Sequence, residues 1–441
     1  MFKLIVWLSL SLLCVASHAQ VSYRLQNTAL AAKINGEGVY RFSLDNMQQL
    51  NHENTPLSRP ELLSQMLKQR LLAAEARRQY TASELHPASR IAFARDVAIE
   101  DRLASSLRAL YGKELEQAVK ALPGETLKAL FQEENTLSAE QYQAVFGSAQ
   151  TMSLEYTLKP EQINQAKQIT LLRYQLAGSG SLSLYDIYRR QNVQGRIELH
   201  AKNQDYLNQQ IQIAFANLFT LHWAAQKFGQ DAINDYRRSL KDQEDAEALM
   251  KIYGIGDHHD GSDYLTQLAK TVSPAEIRTY YQNHKNEFKR IAKVKARHIR
   301  VNDEALAKKI INQIKSGEDF AALAKRHSIA SNAKDGGDLG WIIHQGSLSW
   351  LAQLALSQTE LSQAFRSPVG PDEKATWEII KVEQRVEDYQ PADSESVRYA
   401  ATAEIAHQKA TQQFNALLKK HWQSANIEVS PSIGALSQGL K

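Results

Sequence analysis

Cysteine is nearly absent from the 441-residue sequence: the single one, Cys14, lies in an apolar run close to the start. Met1 to Ala19 reads as a secretory signal peptide, built from Lys3, the apolar run Leu4 to Val15, and Ser17-His18-Ala19 as a small-x-small cleavage site. That run is too short to span a membrane, and Leu13 ahead of Cys14 argues against a lipid-anchor site. Loss of residues 1–19 leaves a chain without cysteine, which excludes disulfides and cysteine-ligated metals. The expected location is the bacterial periplasm, reached by a cleavable signal. Charge of one sign is also missing: 52 basic and 48 acidic residues give +4, and losing Lys3 leaves 51 − 48 = +3. No block of like charge points to nucleic acid. No later segment is apolar enough for stable membrane insertion, and the 10 prolines are too few for a long disordered linker. Phosphate-cradling glycine loops are absent. His258-His259, within Gly-Ile-Gly-Asp-His-His-Asp-Gly, lack the spacing of metal ligands and read as a solvated linker. No cofactor and no metal are expected.

What is present suits two or three globular domains, since a 43% hydrophobic fraction is ample for packed cores. Ala31 to Val39 predicts two short strands joined at Asn35-Gly36. Ser58-Arg59-Pro60-Glu61 then opens a helix with an apolar stripe of Leu62, Leu63, Met66, Leu67 and Leu71. Further helical patterns follow, with an alternating stretch at 151–158 that predicts a strand. Gly178-Ser179-Gly180-Ser181 is the strongest flexible breaker and the expected boundary of two helical subdomains. Asp205 to Phe228 is a long helix, and Ser273-Pro274-Ala275-Glu276 is a capping box for another.

From Lys293 to Glu383 the pattern changes. Val294 to Val301 alternates as a strand. Asp303 to Ser316 is helical and stops at Gly317, and Phe320 to Arg326 is a second short helix. Gly336-Gly337-Asp338-Leu339-Gly340-Trp341 marks a tight turn or a close backbone approach. A short amphipathic run from Trp350 to Leu356 and a closing strand from Trp377 to Val382 complete a β-α-α-loop-β-α-β order. Asp393 to Ser424 is a long helix whose stripe (Val397, Ala401, Ile405, Phe414, Leu417, Leu418, Trp422) cannot be buried by the helix alone. Ile427 to Val429 predicts a short strand.

The middle segment resembles the parvulin family of peptidyl-prolyl cis-trans isomerases. The residues that carry the likeness are Ala296-Arg297-His298-Ile299, Phe320-Ala321-Ala322-Leu323-Ala324, Ser328, the glycine motif 336–341, Glu360-Leu361-Ser362, Pro368-Val369 and Ile379-Ile380-Lys381-Val382, in the family's order. The start of the chain and its long last helix are similar to SurA-like periplasmic chaperones, in which a C-terminal helix returns to the N-terminal domain. The fold class implied is α+β: a mainly helical SurA-like chaperone domain plus a small parvulin-like α/β domain. The expected divisions are 1–19 signal peptide, 20–290 helical region, 291–386 parvulin-like domain, and 387–441 C-terminal helix and strand packing on the N-terminal region.

The chemistry implied is rotation about Xaa-Pro bonds, whose barrier of ~18–20 kcal/mol comes from amide resonance. A catalyst needs an apolar slot for the ring and directed hydrogen bonds for the twisted amide. By resemblance the catalytic set is His298, Ser328 and Glu378, and the substrate-binding wall is Leu339, Leu348 and Trp350. Two positions depart from the family: Ala330 stands where a cysteine or aspartate is expected, and Glu378 where a second histidine is. The implied partners are unfolded or extended exported polypeptides and their proline-containing segments. Three readings stay open: a weak isomerase, a chaperone whose parvulin unit only binds, and an accessory of one secretion or envelope assembly system.

Overall fold

In the computed structural model, residues 20–50, 57–87, 93–147, 156–256, 262–369 and 374–436 are described. The expected signal peptide, His258-His259 and most of the strand expected at 151–158 lie outside them. The chain divides into two units, one ending at Tyr264 and resuming at Lys409, the other Leu265–Gln408. These limits differ from divisions at 290/291 and 386/387, because the helix Pro274–Asn283 and the start of the last helix join the second unit.

In the first unit, Asn35 and Gly36 both take positive φ (50° and 86°), the backbone of a two-residue hairpin turn. They join β2 (Leu30–Ile34) to β3 (Glu37–Tyr40). The sheet is completed by two strands at the ends of the chain, β1 (Gln20–Ser22) and β11 (Asn426–Val429), in the order β1-β11-β2-β3. Ile427 and Val429 thereby enter a core with Ile34, Val39, Leu44, Leu63 and Leu67. The last three lie on helices Arg41–Leu50 and Arg59–Gln79. Glu61 starts the second of these by accepting the Ser58 N–H at 2.9 Å and hydroxyl at 2.6 Å.

Helix Gln230–Ile252 lies against Arg59–Gln79. A buried ion network joins them: the Arg70 guanidinium, 5% exposed, reaches Asp235 at 2.8 Å and Asp242 at 2.9 Å, while Arg77 reaches Asp242 and Asp245. A second core holds the antiparallel sheet β4 (Phe131–Glu134), β5 (Thr170–Gln175) and β6 (Ser179–Ser183) against Phe146, Ile187, Leu207 and Phe215. The stretch at 178–181 therefore lies within a hairpin, where the turn runs into β6, and not at a boundary between subdomains. Its small residues serve close packing, since a Cβ on Gly180 would lie 2.4 Å from the Tyr174 ring.

In the second unit the antiparallel sheet runs β8 (Asp338–Ile343), β7 (Lys289–Val301), β10 (Trp377–Tyr389), β9 (Phe365–Arg366). Both faces are covered. Ile299, Val301 and Ile379 pack under helices Glu304–Lys315 and Phe320–His327, with Ile310, Phe320 and Leu323. Val294, Ala296, Ile380 and Val382 pack on helix Trp350–Ser357 through Ala355 and Leu356. The last helix, Glu395–Ser424, divides its apolar stripe between the units. Val397, Ala401 and Ile405 join Tyr280 and Phe288, whereas Phe414, Leu417 and Leu418 join Leu72, Ala76 and Leu249. The fold is α+β and mainly helical. Among the described residues no helix is long and apolar enough to cross a membrane.

Candidate active site

Alternation along β7 turns His298 to the same face as Val294 and Ala296. Ile380 on β10 pairs with His298 and Glu378 with Arg300, so the Glu378 side chain lies diagonally beside the imidazole. The glycine turn presses onto the other side. The His298 N–H donates to Gly337 O at 2.8 Å, and a Cβ on Gly337 would sit 2.0 Å from the His298 carbonyl oxygen. A Cβ on Gly336 would lie 2.6 Å from Ala321 Cβ. The motif is thus a close approach of loop backbone to strand and helix. Arg297, on the opposite face, ties it down by donating to Asp335 O and Gly336 O at 3.2 Å each, and it also donates to Glu383 on β10 at 2.6 Å.

The imidazole is 4% exposed and engaged at both nitrogens. Nδ1 meets Glu378 Oε2 at 2.8 Å, and Nε2 meets Asn332 Oδ1 at 2.9 Å. The amide orientation of Asn332 follows from its Nδ2, which donates to Asp338 O at 2.8 Å. Both ring nitrogens therefore face acceptor oxygens, and the network is satisfied in full when both carry hydrogen. Glu378, 0% exposed, also accepts from Arg300 Nε, which offsets the cost of burying a carboxylate. The Arg300 side chain is 40% exposed and marks the open edge of the network.

Ser328 sits one step back. Its Oγ accepts the backbone N–H groups of Arg300 at 3.1 Å and Ala330 at 3.3 Å, and Ile329 N–H donates to Arg300 O at 2.8 Å. It anchors the loop to β7 and so acts on the ring through the backbone. His298 and Glu378 are brought together, and Ser328 is linked to them through the backbone of Arg300. The apolar wall is divided: Leu339 and Leu348 pack on the Val294, Ala296 and Ile380 cluster, and Trp350 is not among the side chains packed there. It opens the helix Trp350–Ser357, where Ser349 is the N-cap, and is partly buried. Leu348 also borders a hollow of about 530 Å³ with Ile291, His344, Gln353 and Leu356. Asn332 and Arg300 were not anticipated from the sequence. The only available signal for Asn332 was a polar residue two positions beyond Ala330, ahead of the glycines. Among the described residues no group of side chains is arranged to hold a metal ion.

Residues 292–384 match the family described as rotamase, PPIC-type PPIase domain. The chain is 38% identical over 115 residues to the foldase protein PrsA of Caldanaerobacter subterraneus, covering 25% of this chain and 35% of that protein. It is 34% identical over 137 residues to the chaperone SurA of Saccharophagus degradans, covering 28% and 30%. The match thus spans about a third of the length of each of these curated relatives. Among solved structures, NmPin, the parvulin of Nitrosopumilus maritimus, is 33% identical, with 21% of this chain and 95% of that one covered and a TM-score of 0.18. The sheet with its glycine turn and the buried histidine is the frame of a parvulin, and the chain carries a PPIC-type peptidyl-prolyl isomerase domain, with homologues among the PrsA foldases and SurA chaperones.

Proposed function

We propose that this protein is a folding factor of the bacterial periplasm that acts on unfolded or extended exported polypeptides and slowly isomerises their Xaa-Pro bonds. The observation that carries the reading is the imidazole of His298, fixed between Glu378 and Asn332 inside the parvulin frame. The location rests on the signal-like residues 1–19, and the client class on the foldase and chaperone relatives. Slow turnover follows from two features. Ala330 offers no side-chain polar atom, and the ring is already occupied at both nitrogens, so a substrate amide must compete with internal partners. Each transition-state interaction of ~1.4 kcal/mol that is missing lowers the rate about tenfold. The proline ring would rest on the apolar side of the site, against Leu339 and Leu348, with Trp350 at its rim. An isomerisation assay on proline tetrapeptides tests this. Measurable turnover that drops in a folded His298→Ala variant is expected, and turnover indifferent to His298 would place the active site elsewhere.

The same occupied nitrogens favour a second reading, in which the parvulin unit binds extended clients without catalysis. Under it, the wild-type chain suppresses aggregation of an unfolded exported protein yet leaves prolyl isomerisation at the uncatalysed rate.

A further inference from the structure

We infer that Asn332 is the positioning residue of the parvulin site. It does the work for which position 330, here an alanine, was the expected place. The inference rests on the reading of His298 as the centre of that site, but its test does not depend on turnover.

Four bonds meet at Asn332. Its Oδ1 faces His298 Nε2 at 2.9 Å, and its Nδ2 donates to Asp338 O at 2.8 Å. Its own carbonyl accepts the N–H groups of Asp335 and Gly337, each at 3.0 Å. Gly337 in turn accepts from the His298 backbone at 2.8 Å. One side chain therefore joins the loop, the start of β8 and the imidazole in a closed circuit. The amide cannot turn over without setting its NH₂ group against a ring N–H and its oxygen against a carbonyl, so the acceptor stays on the ring. Glu378 fixes the opposite nitrogen at 2.8 Å. Two bonds from opposite edges hold the plane of the ring as well as its distance, which one partner alone would leave free to swing.

An aspartate at 332 could still accept from Nε2, but it has no hydrogen to give to Asp338 O. An alanine loses both bonds. Comparing Asn332→Ala with Asn332→Asp therefore separates the hold on the ring from the closure of the loop.

The experiment uses the full chain with ¹⁵N-labelled histidine, the His298 signals being assigned by their loss in His298→Asn. In wild type, the Nε2-bound proton of His298 should be visible and slow to exchange with water. It should persist in Asn332→Asp and vanish in Asn332→Ala, while the circular dichroism of all three agrees. Prolyl isomerisation should fall about tenfold in Asn332→Ala, in kcat more than in KM, and less than threefold in Asn332→Asp. A protected Nε2 proton in a folded Asn332→Ala, or no protected proton in wild type, would overturn the assignment. Equal loss of that proton in both variants would overturn it too, because loop closure alone would then account for the effect. If the proton behaves as expected while wild-type turnover is nil, Asn332 holds the ring and it is the catalytic reading that fails.

Discussion

Replacing Gly337 by alanine should unfold the parvulin sheet, whereas the same change at Gly340 should only weaken it. Both glycines have left-handed backbone, with φ of 71° and 64°. Alanine in that region costs about 1–2 kcal/mol at either position. Space separates them. A Cβ on Gly340 meets nothing within 4 Å, whereas one on Gly337 lies 2.0 Å from His298 O, 3.1 Å from its carbonyl carbon and 3.3 Å from its nitrogen. The obstacle is backbone of β7, paired with β8 on one side and β10 on the other, so it cannot swing aside as a side chain would. The turn must instead lift by more than 1 Å or so. That movement breaks the 2.8 Å bond from His298 N–H to Gly337 O and strains the one from Gly337 N–H to Asn332 O. At about 1 kcal/mol per bond, plus the dihedral cost, Gly337→Ala should lose roughly 3–5 kcal/mol and Gly340→Ala roughly 1–2 kcal/mol. For a domain of about 100 residues 1 kcal/mol shifts Tm by roughly 4–8 °C. Calorimetry on the full chain should then show a moderate fall in the parvulin transition for Gly340→Ala, and its loss or a fall of more than about 15 °C for Gly337→Ala. Equal shifts in the two variants would refute the steric argument and leave only the shared dihedral.

Glu378→Gln should lower the stability of the same unit by on the order of 2 kcal/mol, because His298 and Arg300 both lose a charged acceptor; an unchanged melting curve would show that neither bond matters. Arg70→Ala takes the guanidinium from Asp235, 5% exposed, and leaves Asp242, 2% exposed, to Arg77; it should cost the helical unit roughly 3 kcal/mol in urea unfolding at neutral pH. A loss below 1 kcal/mol or so would mean water replaces the guanidinium. The third test uses pH. The hydrogen bond from Arg78 holds the Glu75 carboxyl down to about 2, against burial, which pushes it up; Gln79 and His421 assist. A folded value below the ordinary 4.5 stabilises the fold fully above that pH, and the contribution disappears as pH falls toward 2. Since Arg78 is 69% exposed, solvent screening should leave about 1 kcal/mol of it. Glu75→Gln should flatten that part of the acid-unfolding curve, and parallel curves would exclude the effect.

The sequence by itself determined the local elements of the parvulin unit. The alternation of Val294 to Val301, the stop at Gly317 and the short helix from Phe320 are each written within about a dozen residues, where periodicity and capping act. The glycine motif was legible as a close approach because only glycine tolerates one. The fold class followed from the same signals. Tertiary structure alone decided which backbone is approached, and which side chains meet at the ring. Asn332 and Glu378 reach His298 across 34 and 80 residues of chain, and their meeting depends on the register of β10 and on the lift of one turn. Arg300 joins them because it is the cross-strand partner of Glu378. The apolar stripe of Glu395–Ser424 announced a buried face but could not name its partners, since Leu, Ile and Val pack without direction; the fold gave one end Tyr280 and Phe288 and the other Leu72 and Leu249. The same holds for Arg70 and its aspartates, which look like ordinary surface charge until two helices close over them.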